Sequence, residues 1–222
     1  MLNIKLRLNG DSSKVKNRVS KPTKVEVDSE LAYRLLHPRH TVLVTCADKT
    51  GRANIITLAW SMPTSFDPSM VAISIAPKRL SHKMIEETGE FVVNVPTMKI
   101  VKQTLFCGRI SGTKCDKFKE APLTPVPARK VRSPIIKECV AHLECRLVRQ
   151  IATGDHTLFI GEVLTAYVNK GVFTKSFNIK KVKPIFHMGG DDFATVSPEI
   201  VSPPRPKKER QQLKPAARKK RV

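Results

Sequence analysis

Lys78, Arg79 and Ser81 fall together in Pro77-Lys78-Arg79-Leu80-Ser81-His82, and such a group can hold a phosphate. An Arg guanidinium matches phosphate bidentately, and a Lys adds a point charge. Ser81 is a good N-cap for a helix from Lys83 to Thr88, which Gly89 stops. The free N–H groups and positive dipole end of such a helix attract anions. His82 lies in the same turn and joins the candidate set. On composition alone the segment also reads as a solvated basic turn.

The elements that must position this turn are mostly strands. Asn54 to Ser61 reads as one, Phe66-Asp67-Pro68 turns the chain, and Val71 to Ile75 reads as the next. Phe91 to Val95 returns after the helix. Upstream, a short helix from Ser29 to Leu36 ends at Pro38, and Thr41 to Cys46 is a strand leading into the hairpin turn Asp48-Lys49-Thr50-Gly51. Downstream, Thr97 to Phe106 reads as a helix with Gly108 as its stop. Residues 107–137 are loop-rich, with a short helix near Asp116 to Lys119. Ala141, Leu143, Cys145 and Leu147 then alternate with His142, Glu144 and Arg146 along a strand. Gly154-Asp155 turns that strand into His156 to Val163, and Pro184 to Met188 is the last strand. Strands outnumber helices and tight turns join several of them. The expected fold is therefore mainly β, an antiparallel barrel with a few peripheral α-helices. Neither GxGxxG nor a Walker A sequence is present.

The 222 residues suffice for one sizeable domain with tails. No run approaches a membrane span and no secretory leader is legible, so the expected compartment is the cytoplasm, with no membrane partner. Five dispersed cysteines without a CxxC argue against a disulfide framework and against zinc, so no metal is expected. The net charge of +21 is concentrated at the ends: residues 1–24 carry +6 and residues 202–222 carry +8. The expected organisation is a basic extension over residues 1–27, a folded domain over residues 28–198, and a disordered basic tail over residues 199–222. The tails admit weak, nonspecific nucleic-acid contact through charge. The twelve aromatics are scattered rather than grouped as base-stacking platforms, so nucleic-acid binding is not the expected main function.

Several short motifs, taken in order, resemble the flavin reductase-like proteins, and most closely their flavoredoxin branch. They are Arg34-Leu35-Leu36-His37-Pro38-Arg39, Asn54 to Pro68, Ser81-His82, Gly89 to Val95, Cys107-Gly108-Arg109-Ile110-Ser111-Gly112, Asp116-Lys117-Phe118, Gly154-Asp155-His156-Thr157 and Gly161-Glu162-Val163. The likeness covers roughly residues 30–196. It implies an FMN-binding split β-barrel of antiparallel, Greek-key-like topology. It also implies a homodimer with flavin near the subunit interface, and hydride or electron transfer through noncovalent FMN with NAD(P)H as a common donor. The alternative within the family is a permanently FMN-bound electron carrier with a protein electron donor or acceptor and no NAD(P)H activity.

With that resemblance in place, Thr57-Leu58-Ala59-Trp60 suits the edge of an isoalloxazine ring, Ala59 being small enough for close approach. Ser74 and Ile75 would lie beside it, with Asn54, Cys107 and Gly108 completing the cofactor set. Arg79, Ser81 and His82 would take the phosphate, helped by Lys78. His156, from the Gly-Asp-His motif, is the expected catalytic residue near the flavin face. Each has a plainer reading: Trp60 as a barrel-core aromatic, Cys107 as an inert buried thiol, and His37 and His40 as structural. Two departures from the family stand out. Leu80 occupies a position that is often aromatic, and Asp191-Asp192 one that is often basic or neutral.

Overall fold

The computed structural model describes residues 24–204, and the chain divides into the units Met1–Leu35 and Leu36–Val222. Most of the basic N-terminal extension and most of the basic C-terminal tail lie outside the described residues. At the end of the first unit, the helix expected from Ser29 to Leu36 is a 3-10 helix with no buried residue.

The second unit carries the strands β1 (Arg39–His40), β2 (Val42–Ala47), β3 (Ala53–Leu58), β4 (Ser61–Phe66) and β5 (Ser69–Ile75). Helix α1 (Leu80–Thr88) and β6 (Glu90–Val95) follow, then α2 (Val101–Arg109) and α3 (Lys117–Glu120). The short strands β7 (Pro125–Val126) and β8 (Ile135–Ile136) precede the long pair β9 (Ala141–Thr153) and β10 (His156–Val168). The strands β11 (Phe186–Gly189) and β12 (Asp192–Ala194) close the series.

Seven strands form one sheet in the order β3-β2-β6-β9-β10-β5-β4, and every pairing in it is antiparallel. The outer strands β3 and β4 are joined by only Ala59 and Trp60. A link that short reaches about 10 Å from Leu58 to Ser61. The sheet must therefore curl until its two edges approach, which makes a barrel. No ladder joins β3 to β5 or β4 among the described residues. The wall is split there, and the fold is an antiparallel split β-barrel with a few helices outside it.

β2 shows why the wall is well fixed elsewhere, because it is buried on both faces. Val42, Val44 and Cys46 point into the barrel with Ile56, Leu58, Ile73, Ile75, Phe91 and Phe159. Leu43 points outward, to a second core with Ile55, Ile100, Cys107, Phe118 and Ile136. Each such side chain contributes roughly 1.5–3 kcal/mol by leaving water. Gly161 lets Phe91 cross the barrel interior, since a Cβ there would sit 2.5 Å from Phe91 Cζ.

The outward face of β6 and β9 is polar yet buried. Glu144, fully buried, accepts the N–H groups of Arg129 (2.8 Å) and Lys130 (2.5 Å) and the Tyr167 hydroxyl (2.8 Å). Burial alone would raise its pKa, but those donors more than offset it and hold the carboxyl below its ordinary value. Asn94 Oδ1 accepts from Ile136 N at 3.0 Å and meets His142 Nδ1 at 2.8 Å. Burial pushes His142 down to about 4, against the pull of Glu144, so its ring is neutral. These side chains strap the segment before β9 to the barrel.

Several local expectations shift. The strand expected from Asn54 to Ser61 ends at Leu58, because the Ala59 carbonyl accepts Arg39 Nε at 2.9 Å and the chain turns toward the other edge. Gly108 does not stop its helix. It lies inside α2, which runs to Arg109, and its missing side chain brings the helix against β3, where a Cβ would meet Thr57 Cβ at 3.2 Å. β4 and β12 were not legible as separate strands.

Candidate functional site

The basic turn forms by a backbone bond from Arg79 N to Ala76 O at 3.0 Å. Its helix starts three residues earlier than expected, at Leu80, with extended Arg79 (φ −85°, ψ 136°) as N-cap. Ser81 is therefore not the cap but the second helical residue. Leu80 draws the start back by packing on the barrel core. Ser81 is 1% exposed, and its Oγ accepts Asn54 Nδ2 at 2.9 Å. The backbone N–H groups of Leu80 and Ser81 belong to the first turn, where a helix offers donors without intrahelical partners. His82 behaves differently. Its ring packs edge-on against Phe159 at 4.9 Å, and Nε2 meets Thr157 Oγ1 at 2.8 Å, so it is spent in the core.

A cleft of about 540 Å³, counting its open mouth, lies against this turn. Lys78, Arg79 and Ser81 line one side, and Cys107, Gly108 and Gly112 the other. Asn54 and Lys117 complete its wall. No carboxylate lines it, while three cations do. Lys117 is 5% exposed, with Nζ donating to Ile55 O and Cys107 O at 2.7 Å each. Burial holds its pKa below the usual 10.5. A buried ammonium satisfied by two carbonyls and no counter-ion favours an anion nearby. The Cys107 thiol is pushed up to about 11, chiefly by burial, so it stays protonated and unreactive near neutral pH.

A second cleft, about 350 Å³ with its mouth, opens in the split of the barrel. Ile56, Thr57 and Leu58 of β3 form one lip, and Ser74 and Ile75 of β5 the other, with His156 also lining it. Arg79, Gly108 and Ile56 line both clefts, so the two adjoin. The Thr57 hydroxyl is committed to Thr104 O at 2.6 Å. Its backbone is available: Ile55 O faces Lys117, away from β2, and strand alternation turns the N–H and C=O of Thr57 to the same edge. His156 packs against Trp60 with ring centroids 4.8 Å apart and the planes tilted by 40°, and its Nδ1 meets Asp155 Oδ1 at 2.7 Å. Trp60 is thus a rim residue, 36% exposed, and not a core aromatic.

Lys78, Arg79, Ser81, Asn54, Cys107, Gly108, Thr57, Leu58, Ser74, Ile75 and His156 all border one or other of these adjoining clefts. Ala59 lies beyond their lining, with its carbonyl taken by Arg39. Ile56, Ala76, Leu80, Ile110, Ser111, Gly112 and Lys117 border them too and were not anticipated as site residues. Of these, Ile56 lies in the Asn54 to Pro68 motif, Ile110, Ser111 and Gly112 in the motif that begins at Cys107, and Lys117 in Asp116-Lys117-Phe118, where Asp116 caps α3 through Phe118 N at 3.0 Å. Asp191 forms an ion pair with Arg109, the residue after Gly108, so its unusual charge is absorbed at the rim.

A donor set of three cations with a helix start, beside a slot with strand-edge backbone groups, fits a phosphate attached to a flat ring system. No helix among the described residues is long and apolar enough to cross a membrane. The family model described as "Flavin reductase like domain" matches residues 33–189. A protein of Archaeoglobus fulgidus, named only as uncharacterized, is 39% identical over 180 residues, spanning 80% of this chain and 98% of its own. Among solved structures, flavoredoxin of Desulfovibrio vulgaris is 29% identical with a TM-score of 0.69, covering 75% of this chain and 91% of that one. Flavoredoxin from Methanosarcina acetivorans is 26% identical with a TM-score of 0.73, covering 86% and 100%.

Proposed function

This chain belongs to the flavin reductase-like family, and from that premise we propose that it is an FMN-binding oxidoreductase that passes electrons from NAD(P)H through FMN to an acceptor. The observation that carries the reading is that the two clefts share Arg79 and Gly108 as walls: a cationic cleft without carboxylates lies beside a slot at the barrel split. Arg79 would grip the phosphate, with Lys78 and Lys117 adding charge and Ser81 a hydroxyl. Thr57 would meet the ring edge with its backbone, and Gly108 leaves room for it. Leu58 and Ile75 border the slot on its two lips while their side chains pack in the barrel, and His156 against Trp60 would guide the donor at the open face. His82 and the Cys107 thiol have no part in the chemistry. FMN, when bound, supplies the redox chemistry, and the protein's part is to hold and orient it.

Titration of the purified protein with FMN, followed by the visible spectrum and flavin fluorescence, tests this reading. Saturable one-to-one binding is expected, and failure to bind FMN would overturn it. Arg79→Ala should weaken FMN about tenfold or more, the weight of a charge-assisted contact, without lowering thermal stability, since Arg79 is exposed.

The likeness to two flavoredoxins favours a second reading, a permanently loaded electron carrier served by a protein partner. Steady NAD(P)H oxidation with FMN supports the reductase, whereas its absence from a loaded protein supports the carrier. We also propose a homodimer: Met62 and Phe66 on β4 and Val148 and Ile151 on β9 expose apolar surface. Light scattering of the eluted protein decides between one chain and two.

A further inference from the structure

We infer that Asn54 is a positioning residue, which fixes the Ser81 hydroxyl as a hydrogen-bond donor toward the cleft; this rests on the FMN reading and deepens it. Asn54 Nδ2 donates to Ser81 Oγ at 2.9 Å, and the two residues are 5% and 1% exposed. A hydroxyl has one proton to give, and here a lone pair is already taken by the amide. Two acceptors then compete for that proton. One is the Cys46 sulfur, whose thiol is pushed up to about 11 by burial and interacts with Ser81. The other is whatever fills the cleft that Ser81 lines. Sulfur is a weak acceptor and a phosphate oxygen a strong one, so an anion in the cleft wins the proton.

The amide is itself held in place. The backbone of Gly112 runs against it so closely that a Cβ at 112 would collide with Asn54 Oδ1. Arg52 Nη2 donates to Gly112 O at 2.7 Å and pins that loop. Asn54 also pairs with Cys46 across β2 and β3, which sets Asn54 and the competing sulfur on neighbouring strands. The reverse amide orientation would present Oδ1 to Ser81 and draw its proton away from the cleft. The two orientations therefore predict opposite effects of removing the amide.

The test uses the full chain as wild type, Asn54→Ala, Ser81→Ala and the double variant. Each is titrated with FMN and with riboflavin, which has the ring but no phosphate, and each is melted thermally. Asn54→Ala is expected to weaken FMN about tenfold, the weight of one hydrogen bond to a charged group, and to leave riboflavin unchanged. The double variant is expected to be no weaker than Ser81→Ala, because Asn54 acts through Ser81. Should Asn54→Ala not fold, Asn54→Ser carries the same expectation, being too short to reach Ser81. Equal losses for both flavins, additive losses in the double variant, or tighter FMN binding by Asn54→Ala would each overturn the inference alone. A wild-type chain that binds neither flavin would overturn the FMN reading and the inference with it.

Discussion

Replacing Lys117 by Met probes the oddest charge in the site. The ammonium is buried, donates to Ile55 O and Cys107 O at 2.7 Å each, and has no carboxylate partner among the described residues. Met keeps most of the side chain's length but leaves two carbonyls without a donor, costing about 1–3 kcal/mol each. Against that stands the relief of a desolvated charge, worth several kcal/mol. The two nearly offset each other, so the expected change at neutral pH is small, about 0–3 kcal/mol of lost stability. The pH dependence separates them. Burial lowers the folded pKa of Lys117 below 10.5, so the unfolded chain holds this proton more tightly than the folded one. The penalty is fully present below the folded pKa and disappears as pH rises toward 10.5, so wild-type stability gains over that window. Urea denaturation at steps from neutral pH to about 10.5 should show this gain in wild type and not in Lys117→Met. Other lysines titrate in both proteins and cancel in the difference. FMN affinity should fall about ten- to a hundredfold in the variant while riboflavin affinity holds. Parallel stability curves, together with undiminished FMN binding, would refute the account of Lys117 as a buried cation serving an anion.

Glu144→Gln should cost roughly 2–3 kcal/mol at neutral pH, since a charged acceptor of three hydrogen bonds is lost. Because its folded pKa is depressed, that advantage should fade as pH falls through the folded value below 4.5, which denaturation at stepped acidic pH will show. Gly161→Ala should destabilise by about 1–3 kcal/mol, read by denaturant midpoint, because the new methyl meets the Phe91 ring at 2.5 Å. His156→Ala should lower kcat/KM for the nicotinamide donor about ten- to a hundredfold with FMN affinity unchanged, as steady-state kinetics would report. An equal loss of FMN affinity would make His156 a wall residue instead.

The parts of the site legible in the sequence are those set by local chemistry. Lys78 and Arg79 were visible because Pro77 before them and Gly89 after the helix punctuate the turn. The helix start was misplaced because Leu80 is drawn onto the barrel core, a tertiary preference that outweighs the capping tendency of Ser81. His82 looked like a ligand because it neighbours the turn, but its partners Thr157 and Phe159 lie on a strand some 75 residues away. Lys117 sits among Asp116, Phe118 and Lys119, a stretch that reads only as a short helix in a loop-rich region. Its burial depends on the carbonyl of Ile55, 62 positions distant. Alternation foretold the strands, and tight turns foretold antiparallel pairing. Which two edges would approach without bonding was set by the long β9–β10 hairpin carrying β5 and β4 around to β3.

The gap between β3 and β5 also bears on how the barrel breathes. Elsewhere each wall strand is zipped to its neighbours, but here no ladder joins the lips among the described residues, and they rely on packing between side chains such as Ile56, Leu58, Ile73 and Ile75. Local opening is cheapest where fewest backbone bonds must break, so this seam is the weakest line of the wall. A guest that touches both lips acts as a stitch and adds its own binding free energy, RT ln(1 + [L]/Kd), to the work of parting them. Hydrogen-exchange protection of the β3 and β5 amides should thus rise with occupancy, while β6 and β9, already paired on both sides, stay as they were.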